Sequence, residues 1–373
     1  MKILADQNMP LVEQYFADFG EVTRFDGRNL APDALIDVDV LLTRSVTKVN
    51  SDLLAHANKL SFVGTATIGV DHIDTQLLND KGIAFSSAPG CNAVAVAEYV
   101  ISSLFALSQE NAAPLGGQTI GIVGVGNIGS CLAQKLKALN VDVLLCDPIK
   151  HEQGLLAEHV ELDELLERVD AVTFHVPLIK TGEHKTHHLI DEKRLKALKP
   201  GLAVINASRG EVIDNQALLS VMEQGADLDL VLDVWENEPN ILIPLLDHVR
   251  YASVHIAGHT LEGKARGTQM LYQALCKLKG VTAEKSLADF LPQPAVTSLS
   301  LQSSFTEADI ARLVHLIYDV RRDDGILLRN LAEDGFDSLR KNYPVRREFS
   351  TLTVKGSAQH TDALAQLGFN TAN

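Results

Sequence analysis

The sequence predicts an α/β protein with two doubly wound parallel-sheet domains that flank a cleft, followed by a small α+β module. Short apolar runs alternate with helical patterns over the first 90 residues, and the alternation resumes after residue 117. The composition then changes near residue 285. Strand–helix alternation is typical of parallel sheets with right-handed crossovers. A chain of 373 residues is long enough for two or three domains.

The first domain is indicated by apolar runs that are rich in Val, Ile and Leu. The expected buried strands are residues 2–6, 38–44, 60–66 and 83–88. Segments with helical spacing lie between them, for example 51–59. We expect this domain to comprise residues 1–94 and 256–284, with a long amphipathic helix over 261–279 returning to it.

The second domain is expected over residues 95–255, after a long apolar helix that begins near Ala93. Its predicted strands are residues 119–126, 141–147, 170–176, 201–207, 230–235 and 251–257. Residues 285–373 form the third part. This part starts with a Pro- and Ser-rich linker or extended segment. The pattern beyond the linker predicts one amphipathic helix over 307–324, a charged loop over 341–350, a strand over 350–356 and a helix over 361–369.

A glycine pattern marks the beginning of the second domain. Gly124, Gly126 and Gly129 form G-x-G-x-x-G between an apolar strand and a helix, which is the context that a dinucleotide fingerprint requires. We expect these glycines, with Asn127 and Ile128 at the helix start, to form the cofactor-binding loop. The first glycine allows the tight turn, the second lets the pyrophosphate approach the backbone, and the third lets helix and strand pack closely. The pattern predicts a Rossmann-like domain.

The strand that follows the glycine pattern ends in Asp147, 18 residues beyond Gly129. A carboxylate at this place accepts hydrogen bonds from the adenosine ribose and repels a 2′-phosphate. The sequence therefore predicts NAD as the cofactor, in preference to NADP.

The composition excludes several other functions. Lys and Arg number 33 and Asp and Glu 48, which gives a formal charge of −15 without a basic tail and argues against nucleic-acid binding. No uncharged apolar run approaches the ~18 residues of a membrane span, and the first residues do not resemble a signal peptide. The four cysteines lack the spacing of a metal or redox motif. We expect a soluble cytoplasmic protein.

Polar residues that could carry chemistry follow three predicted strands of the second domain. Arg209 follows the first, Asp233 and Glu238 follow the second, and His255 lies at the third. In open α/β sheets, ligands bind at the carboxyl ends of the strands. We therefore expect Arg209, Glu238 and His255 to converge beside a nicotinamide ring.

These segments together resemble the D-isomer-specific 2-hydroxyacid dehydrogenases. The resemblance rests on GIVGVGNIG, NASRG, DVWENEP and VHIAG, and it runs from residue 1 to about residue 280. It implies NAD-dependent oxidation of a D-2-hydroxy acid. Within the family, the resemblance is carried further by RSVTKVN, HIAGHTLEGKARGT and the extra C-terminal part. It implies 4-phospho-D-erythronate as the substrate, oxidised during pyridoxine phosphate (vitamin B6) synthesis.

The chemistry assigns a role to each catalytic candidate. His255 is the expected base for the hydroxyl proton, and Glu238 would hold the other ring nitrogen of its imidazole. Arg209 can form paired hydrogen bonds with a carboxylate and the reacting oxygen. By resemblance, Asp233 lies near the nicotinamide amide.

Further site residues follow from the resemblance alone. Ser45, Thr67 and His259 match substrate-contact positions, although the family usually has Tyr at the third. Additional cofactor contacts match Ala207, Ser208, Arg209 and Gly258.

The HKTHH run over residues 184–188 could suggest a metal site. We expect a solvated loop without a metal, because the adjacent side chains of His187 and His188 should point apart.

The segment 285–373 is expected to form a homodimer. Ile310, Leu313, Val314, Ile317 and Val320 form an apolar stripe at helical spacing, and so short a segment should bury this stripe against a second copy of the chain. The resemblance also implies a C-terminal dimerisation domain. Two loop arginines, Arg346 and Arg347, either are solvated or reach the partner's substrate phosphate.

Two alternative functions remain open from the sequence. One is another family enzyme, such as a phosphoglycerate dehydrogenase. A regulatory module with a β-α-β-β-α-β pattern would favour it, but residues 290–373 show too few strands. The other is an NAD-sensing corepressor or binding protein that keeps the fold.

Overall fold

The computed structural model describes residues 1–301, 305–356 and 358–372. The chain forms two compact units. The first contains Met1–Asn92 and His259–Gln293, and the second contains Ala93–Gly258 and Pro294–Asn373. Two large parallel sheets and a small third sheet confirm the predicted α/β class.

The strands all lie in parallel sheets. They are β1 (Lys2–Asp6), β2 (Glu21–Phe25), β3 (Val40–Thr43), β4 (Phe62–Thr65), β5 (Ala84–Ser86), β6 (Thr119–Val123), β7 (Asp142–Cys146), β8 (Ala171–Phe174), β9 (Leu202–Asn206), β10 (Leu228–Leu232), β11 (Tyr251–Ala252), β12 (Ser298–Ser300), β13 (Thr353–Lys355) and β14 (Asn370–Ala372).

The helices connect these strands as crossovers or form the C-terminal module. They are α1 (Val12–Phe16), α2 (Thr75–Asp80), α3 (Ala93–Glu110), α4 (Asn127–Lys137), α5 (Pro148–Glu152), α6 (Leu162–Arg168), α7 (Glu192–Ala197), α8 (Asn215–Glu223), α9 (Leu261–Lys279), α10 (Glu307–Ile317), α11 (Val320–Asp334), α12 (Phe336–Lys341) and α13 (Ala358–Leu367). None of the described helices is long and apolar enough to cross a membrane.

The first unit is a five-stranded sheet in the order β2-β1-β3-β4-β5. Helix α9 covers one face, where Leu271 and Leu275 pack in one cluster with Ile3 and Val40. The strand β2 was not predicted, because this edge strand carries polar and half-exposed side chains rather than an apolar run. The expected helix over 51–59 forms only the single 3₁₀ turn Leu53–His56.

The second unit has six parallel strands in the order β11-β10-β9-β8-β6-β7. From β6 the chain crosses to β7 on one side, and from the neighbouring β8 it crosses to β9 on the other side. The loop after β6 therefore lies at a topological switch point, where such sheets bind ligands. The predicted strand over 251–257 ends at Ala252. It ends there because the next residues turn away, with His255 at a φ of 58°.

The C-terminal module adds a parallel sheet, β12-β13-β14, and four helices to the second unit. Its described elements run β-α-α-α-β-α-β, which differs from the β-α-β-β-α-β pattern of the regulatory alternative. The predicted single helix over 307–324 is divided between α10 and α11. It is broken because Tyr318 and Asp319 are extended, and Asp319 caps α11 by accepting from the Arg321 amide.

The module packs against its own chain. Leu313, Val314 and Val320 are buried in the same hydrophobic core as residues of α3 and β11. The Ser102 hydroxyl on α3 donates to the Tyr318 carbonyl at 3.0 Å and accepts from the Val320 amide. The expectation that the apolar stripe needs a second copy of the chain is therefore wrong, because the stripe is buried within one chain.

Candidate active site

The glycine loop between β6 and α4 has a conformation that side chains would obstruct. Gly124 has a φ of 91°, and an added Cβ would lie 2.6 Å from the His175 carbonyl oxygen. A Cβ on Gly129 would lie 2.1 Å from the Gly124 carbonyl oxygen, because helix and loop pack closely here. An added Cβ at Gly126, in contrast, would meet nothing within 4 Å. The backbone at Gly126 is therefore open to a bound pyrophosphate, as the fingerprint predicts.

Asp147 connects the end of β7 to the glycine loop. One carboxylate oxygen accepts from the Val125 amide at 2.9 Å, and the other accepts from the Lys150 amide at 3.0 Å and caps α5. The Lys150 ammonium donates to the Val125 carbonyl at 2.5 Å. The predicted ribose-binding carboxylate thus also holds the loop that would bind the pyrophosphate. The sequence spacing between the glycines and Asp147 does not predict the contact of this carboxylate with the Val125 amide.

The three strands that precede the catalytic candidates are neighbours in the sheet. In the register, Asn206 at the end of β9 pairs with Leu232 at the end of β10, and Leu232 pairs with Ala252 at the end of β11. Because the strands are parallel and end in one row, the segments that carry Arg209, Glu238 and His255 begin at the same edge of the sheet.

The loop that carries Arg209 is organised by Asn206, a residue that the sequence analysis did not select. The Asn206 amide donates to the Arg209 carbonyl at 2.9 Å, and its oxygen accepts from the amide and hydroxyl of Ser208. A Cβ on Gly210 would lie 2.0 Å from the Trp235 backbone. The loop therefore packs directly against the segment after β10. The guanidinium of half-buried Arg209 donates to the Ser208 carbonyl.

His255 and Glu238 form the expected pair. The His255 Nδ1 lies 2.8 Å from one Glu238 carboxylate oxygen, and the other oxygen accepts from the Trp235 amide at 2.9 Å. Burial alone would raise the pKa of Glu238. The hydrogen bond and charge of His255, the Trp235 amide and the Arg340 charge outweigh burial, and the pKa is lowered. An ionised Glu238 would hold the His255 proton on Nδ1 and leave Nε2 as the proton acceptor.

His255 begins a tight turn, which we call the catalytic turn (residues 255–257). The turn is held by the buried Asp233. The Asp233 carboxylate accepts from the Ile256 amide at 2.7 Å, the Ala257 amide at 2.9 Å and the Ser253 hydroxyl at 2.7 Å. A left-handed conformation such as that of His255 costs a non-glycine residue about 1–2 kcal/mol, so these bonds are needed to maintain it. Burial raises the pKa of Asp233, although His255 and these hydrogen bonds oppose the increase.

The C-terminal module also contacts the catalytic turn. The Arg340 Nε donates to the His255 carbonyl at 3.2 Å, and one Arg346 nitrogen donates to the Ala257 carbonyl at 2.9 Å. Arg346 is only 1% exposed. The expectation that Arg346 is solvated or reaches a partner subunit is therefore wrong, because its guanidinium is buried against carbonyls of its own chain. Local sequence patterns carry no signal for these contacts.

The predicted substrate residues lie in the first unit. Ser45 follows β3 and is exposed, and Thr67 follows the neighbouring strand β4. The Thr67 hydroxyl lies 2.8 Å from the Thr65 hydroxyl and donates to the Gly69 carbonyl. His72, which the sequence analysis did not select, contacts the Thr65 hydroxyl through Nε2. His259 is half-buried just before α9.

The adjacent histidines of the HKTHH run lie beside the segment that follows β10. The expectation that the side chains of His187 and His188 point apart is wrong, since their rings stack with centroids 4.1 Å apart. Each of these histidines and Glu236 offers one atom that could bind a metal, and these three atoms lie within 4.8 Å of one another. Both ring nitrogens of His188 already face carboxylates, at 2.6 Å from Glu236 and 3.3 Å from Asp214.

Comparison with known proteins identifies the family. Residues 97–260 match the model of the "D-isomer specific 2-hydroxyacid dehydrogenase, NAD binding domain". Over all 373 residues the chain is 81% identical to an erythronate-4-phosphate dehydrogenase of Pseudoalteromonas translucida, with complete coverage of both chains. The chain belongs to the D-isomer-specific 2-hydroxyacid dehydrogenase family. A relative of the same name from Shewanella baltica is 50% identical over 99% of both chains.

Solved structures of the family share the fold. A D-lactate dehydrogenase of Aquifex aeolicus, complexed with NAD and lactic acid, has a TM-score of 0.61 at 24% identity and covers 74% of this chain and 96% of its own. A formate dehydrogenase of Staphylococcus aureus with NAD has a TM-score of 0.59 at 25% identity and covers 75% of this chain and 96% of its own. Residues 290–368 match a separate model, a domain of unknown function.

The family model and the solved structures with bound NAD support the class of activity and the cofactor. The chain is an NAD-dependent dehydrogenase, and the open backbone at Gly126 with Asp147 beside it fits a dinucleotide. The expected Rossmann-like architecture and NAD cofactor are therefore confirmed.

Proposed function

We propose that the chain oxidises 4-phospho-D-erythronate to (R)-3-hydroxy-2-oxo-4-phosphooxybutanoate, with NAD as acceptor, in pyridoxine 5′-phosphate biosynthesis. The observation that carries this proposal is the 81% identity to an erythronate-4-phosphate dehydrogenase over the full length of both chains. Relatives of the same name match at about half identity over nearly the whole chain, including the C-terminal module. A biosynthetic role of this kind fits a location in the cytoplasm.

The reaction requires a base, an acceptor for hydride and a group that holds the substrate. His255 Nε2 takes the proton of the C2 hydroxyl, while Glu238 on Nδ1 stabilises the imidazolium that forms. Arg209 holds the carboxylate and the C2 oxygen, where a carbonyl forms as the C–H bond breaks. NAD, when bound, accepts the hydride from C2 on its nicotinamide ring.

The cofactor and substrate contacts extend around these groups. The residues that bind NAD are Gly124, Gly126, Asn127, Ile128, Gly129, Asp147, Ala207, Ser208, Arg209, Asp233 and Gly258. Ser45, Thr67 and His259 bind the substrate. In this proposal, residues 1–94 and 256–284 form the substrate domain, residues 95–255 the NAD domain, and residues 285–373 a dimerisation domain.

The proposed homodimer now depends on the C-terminal module's remaining surface. With the apolar stripe buried, the exposed large apolar groups of the module's described residues that such a contact would cover are Val296, Leu316, Leu328 and Val345. A small phosphorylated hydroxy acid and a second copy of the chain are the proposed partners. Nucleic acid and membrane are not.

Formation of NADH from NAD and 4-phospho-D-erythronate tests the function directly. We expect turnover with this substrate and at least about a hundredfold lower kcat/KM with D-3-phosphoglycerate, because substrate recognition needs matched contacts. The variant His255→Gln should lose roughly a thousandfold in kcat and still bind NAD, since it lacks only the base. Tight NAD binding without any NADH formation by the wild type would favour the sensor alternative.

A further inference from the structure

The C-terminal module corresponds to a domain of unknown function, over residues 290–368. Solved structures with the same fold cover only about three quarters of this chain. A Thermus thermophilus protein, for example, matches over 100% of its own length but only 77% of this chain. The module therefore adds something that the fold itself does not need. The contacts within the second unit indicate what this is.

Arg346 links the module to residues near the beginning and the end of the segment Ala93–Gly258 of the second unit. One guanidinium nitrogen donates to the Ala257 carbonyl at 2.9 Å, and another donates to the Ala95 carbonyl at 2.7 Å. The guanidinium also lies over the Tyr318 ring at 3.5 Å from the ring centroid. A buried cation with two carbonyl acceptors and an aromatic face is held in one place, and it holds the Ala257 carbonyl in turn.

Arg340 reaches the other end of the catalytic turn. Its Nε donates to the His255 carbonyl at 3.2 Å. Its charge also contributes to lowering the pKa of Glu238, the carboxylate that pairs with His255. The charged and titratable groups around the imidazole thus come from two places. Glu238 and Asp233 follow β10, and Arg340 belongs to α12 of the module.

We propose that the C-terminal module is a positioning element for the catalytic turn, in which Arg340 and Arg346 hold the carbonyl groups of His255 and Ala257. Asp233 binds the amide groups of the same turn. The turn is therefore held from both sides, on its N–H groups by the dehydrogenase domain and on its carbonyl groups by the module. Both arginines are positioning residues, because they contact the turn rather than the reacting atoms. The proposal rests on the proposed role of His255.

The test compares full-length Arg340→Gln, Arg340→Lys, Arg346→Gln and Arg312→Gln with the wild type. Arg312 is the matched control, since it lies in the same module with a 75% exposed side chain. We expect Arg340→Gln and Arg346→Gln to lower kcat at least about tenfold, with less than a twofold change in the KM for NAD, because the glycine loop is untouched. The control should match the wild type.

Two further readouts separate positioning from general destabilisation. With substrate deuterated at C2, the isotope effect on kcat should increase in both glutamine variants, because misplaced His255 makes the chemical step slower. In Arg340→Gln the acid limb of kcat/KM should move to higher pH, because a cation beside the Glu238–His255 pair is gone. Arg340→Lys should restore that limb, since it keeps the charge.

Folded glutamine variants with wild-type kcat and isotope effect would overturn the proposal. Should Arg346→Gln fail to fold, the half-buried Arg340 decides the outcome alone. The variant His255→Gln separates this proposal from the proposed function. If His255→Gln is inactive while the arginine variants behave as the wild type, only the role of the module is wrong. If His255→Gln keeps full activity, the assignment of the base is wrong.

Discussion

The glycine loop and the catalytic turn lie in the same unit, but different parts of the chain hold them in place. The loop is closed by Asp147 and Lys150, which follow the next strand of the same β-α-β segment. The catalytic turn is held by Asp233, 24 residues before Ala257, and by Arg340 and Arg346, which are 85 and 89 residues away from their partners. The loop is thus locally encoded, whereas the turn is assembled from distant segments.

The glycine loop and the catalytic turn should tolerate substitutions differently. A locally encoded loop depends on its own glycines and on one carboxylate, so changes elsewhere in the chain should leave it intact. The turn contains a histidine in a left-handed conformation, which persists only when its surroundings hold it. We therefore expect the turn to respond to changes at remote sites and the loop to respond to changes within it or at Asp147.

The largest effect is expected for Asp233→Asn. An amide cannot accept from both turn amides as the carboxylate does, so the turn should loosen and the free energy of unfolding should fall by about 3 kcal/mol. We expect kcat to fall about a hundredfold through misplacement of His255. Chemical denaturation and steady-state kinetics would measure both. Asp227→Asn, an exposed carboxylate just before β10, is the control and should change neither.

A smaller effect that should be confined to the loop is expected for Gly124→Ala. The left-handed backbone and the approach to the His175 carbonyl should together cost about 2 kcal/mol, which raises the NAD dissociation constant roughly thirtyfold. Calorimetric titration with NAD would measure it. Gly182→Ala shares a positive φ of 93° but meets no atom within 4 Å, so it separates backbone strain from the steric clash. Equal NAD affinity in all three proteins would contradict a closely packed loop.

The sequence predicted the loop almost completely and the turn only in part. Apolar strands, the glycines and Asp147 form short local patterns, so all three were visible without a structure. The sequence analysis paired His255 with Glu238 from the chemistry, and the structure joins them at 2.8 Å. The bonds of Asp233, Arg340 and Arg346 to the turn depend on tertiary packing, and no spacing of residues reveals them.

The dependence on tertiary packing also explains why the predictions for the C-terminal module were partly wrong. The apolar stripe over 310–320 was correctly taken as a face that needs a partner, but periodicity cannot say which surface covers it. Here the stripe is covered by the hydrophobic core of the same chain, which includes residues of α3. The helix breaks at Tyr318, whose buried phenol hydroxyl donates to Asp323. The helical pattern of the sequence continues across this position and therefore gives no sign of the break. Short polar strands such as β12 and β14 lack the apolar runs by which strands are recognised.

The smallest effect is expected for Asp147→Ala, which should relax the preference for NAD over NADP by about tenfold. Loss of the carboxylate removes the repulsion of a 2′-phosphate and leaves Lys150 nearby. It also removes an acceptor for the Val125 amide and the cap of α5, so stability should fall by about 1 kcal/mol. Asp191→Ala removes the corresponding cap of α7 and controls for that loss. A wild type that uses both cofactors equally well would contradict the role of Asp147.

Amide hydrogen exchange in Arg340→Gln and Arg346→Gln tests most directly whether distant contacts hold the turn. The measurement compares the amide groups of Ile256 and Ala257 with the Val125 amide, which donates to Asp147 in the glycine loop. We predict exchange at least about tenfold faster than in the wild type at Ile256 and Ala257, with no change at Val125. Unchanged exchange at the turn, or an equal increase at all three amides, would contradict the account.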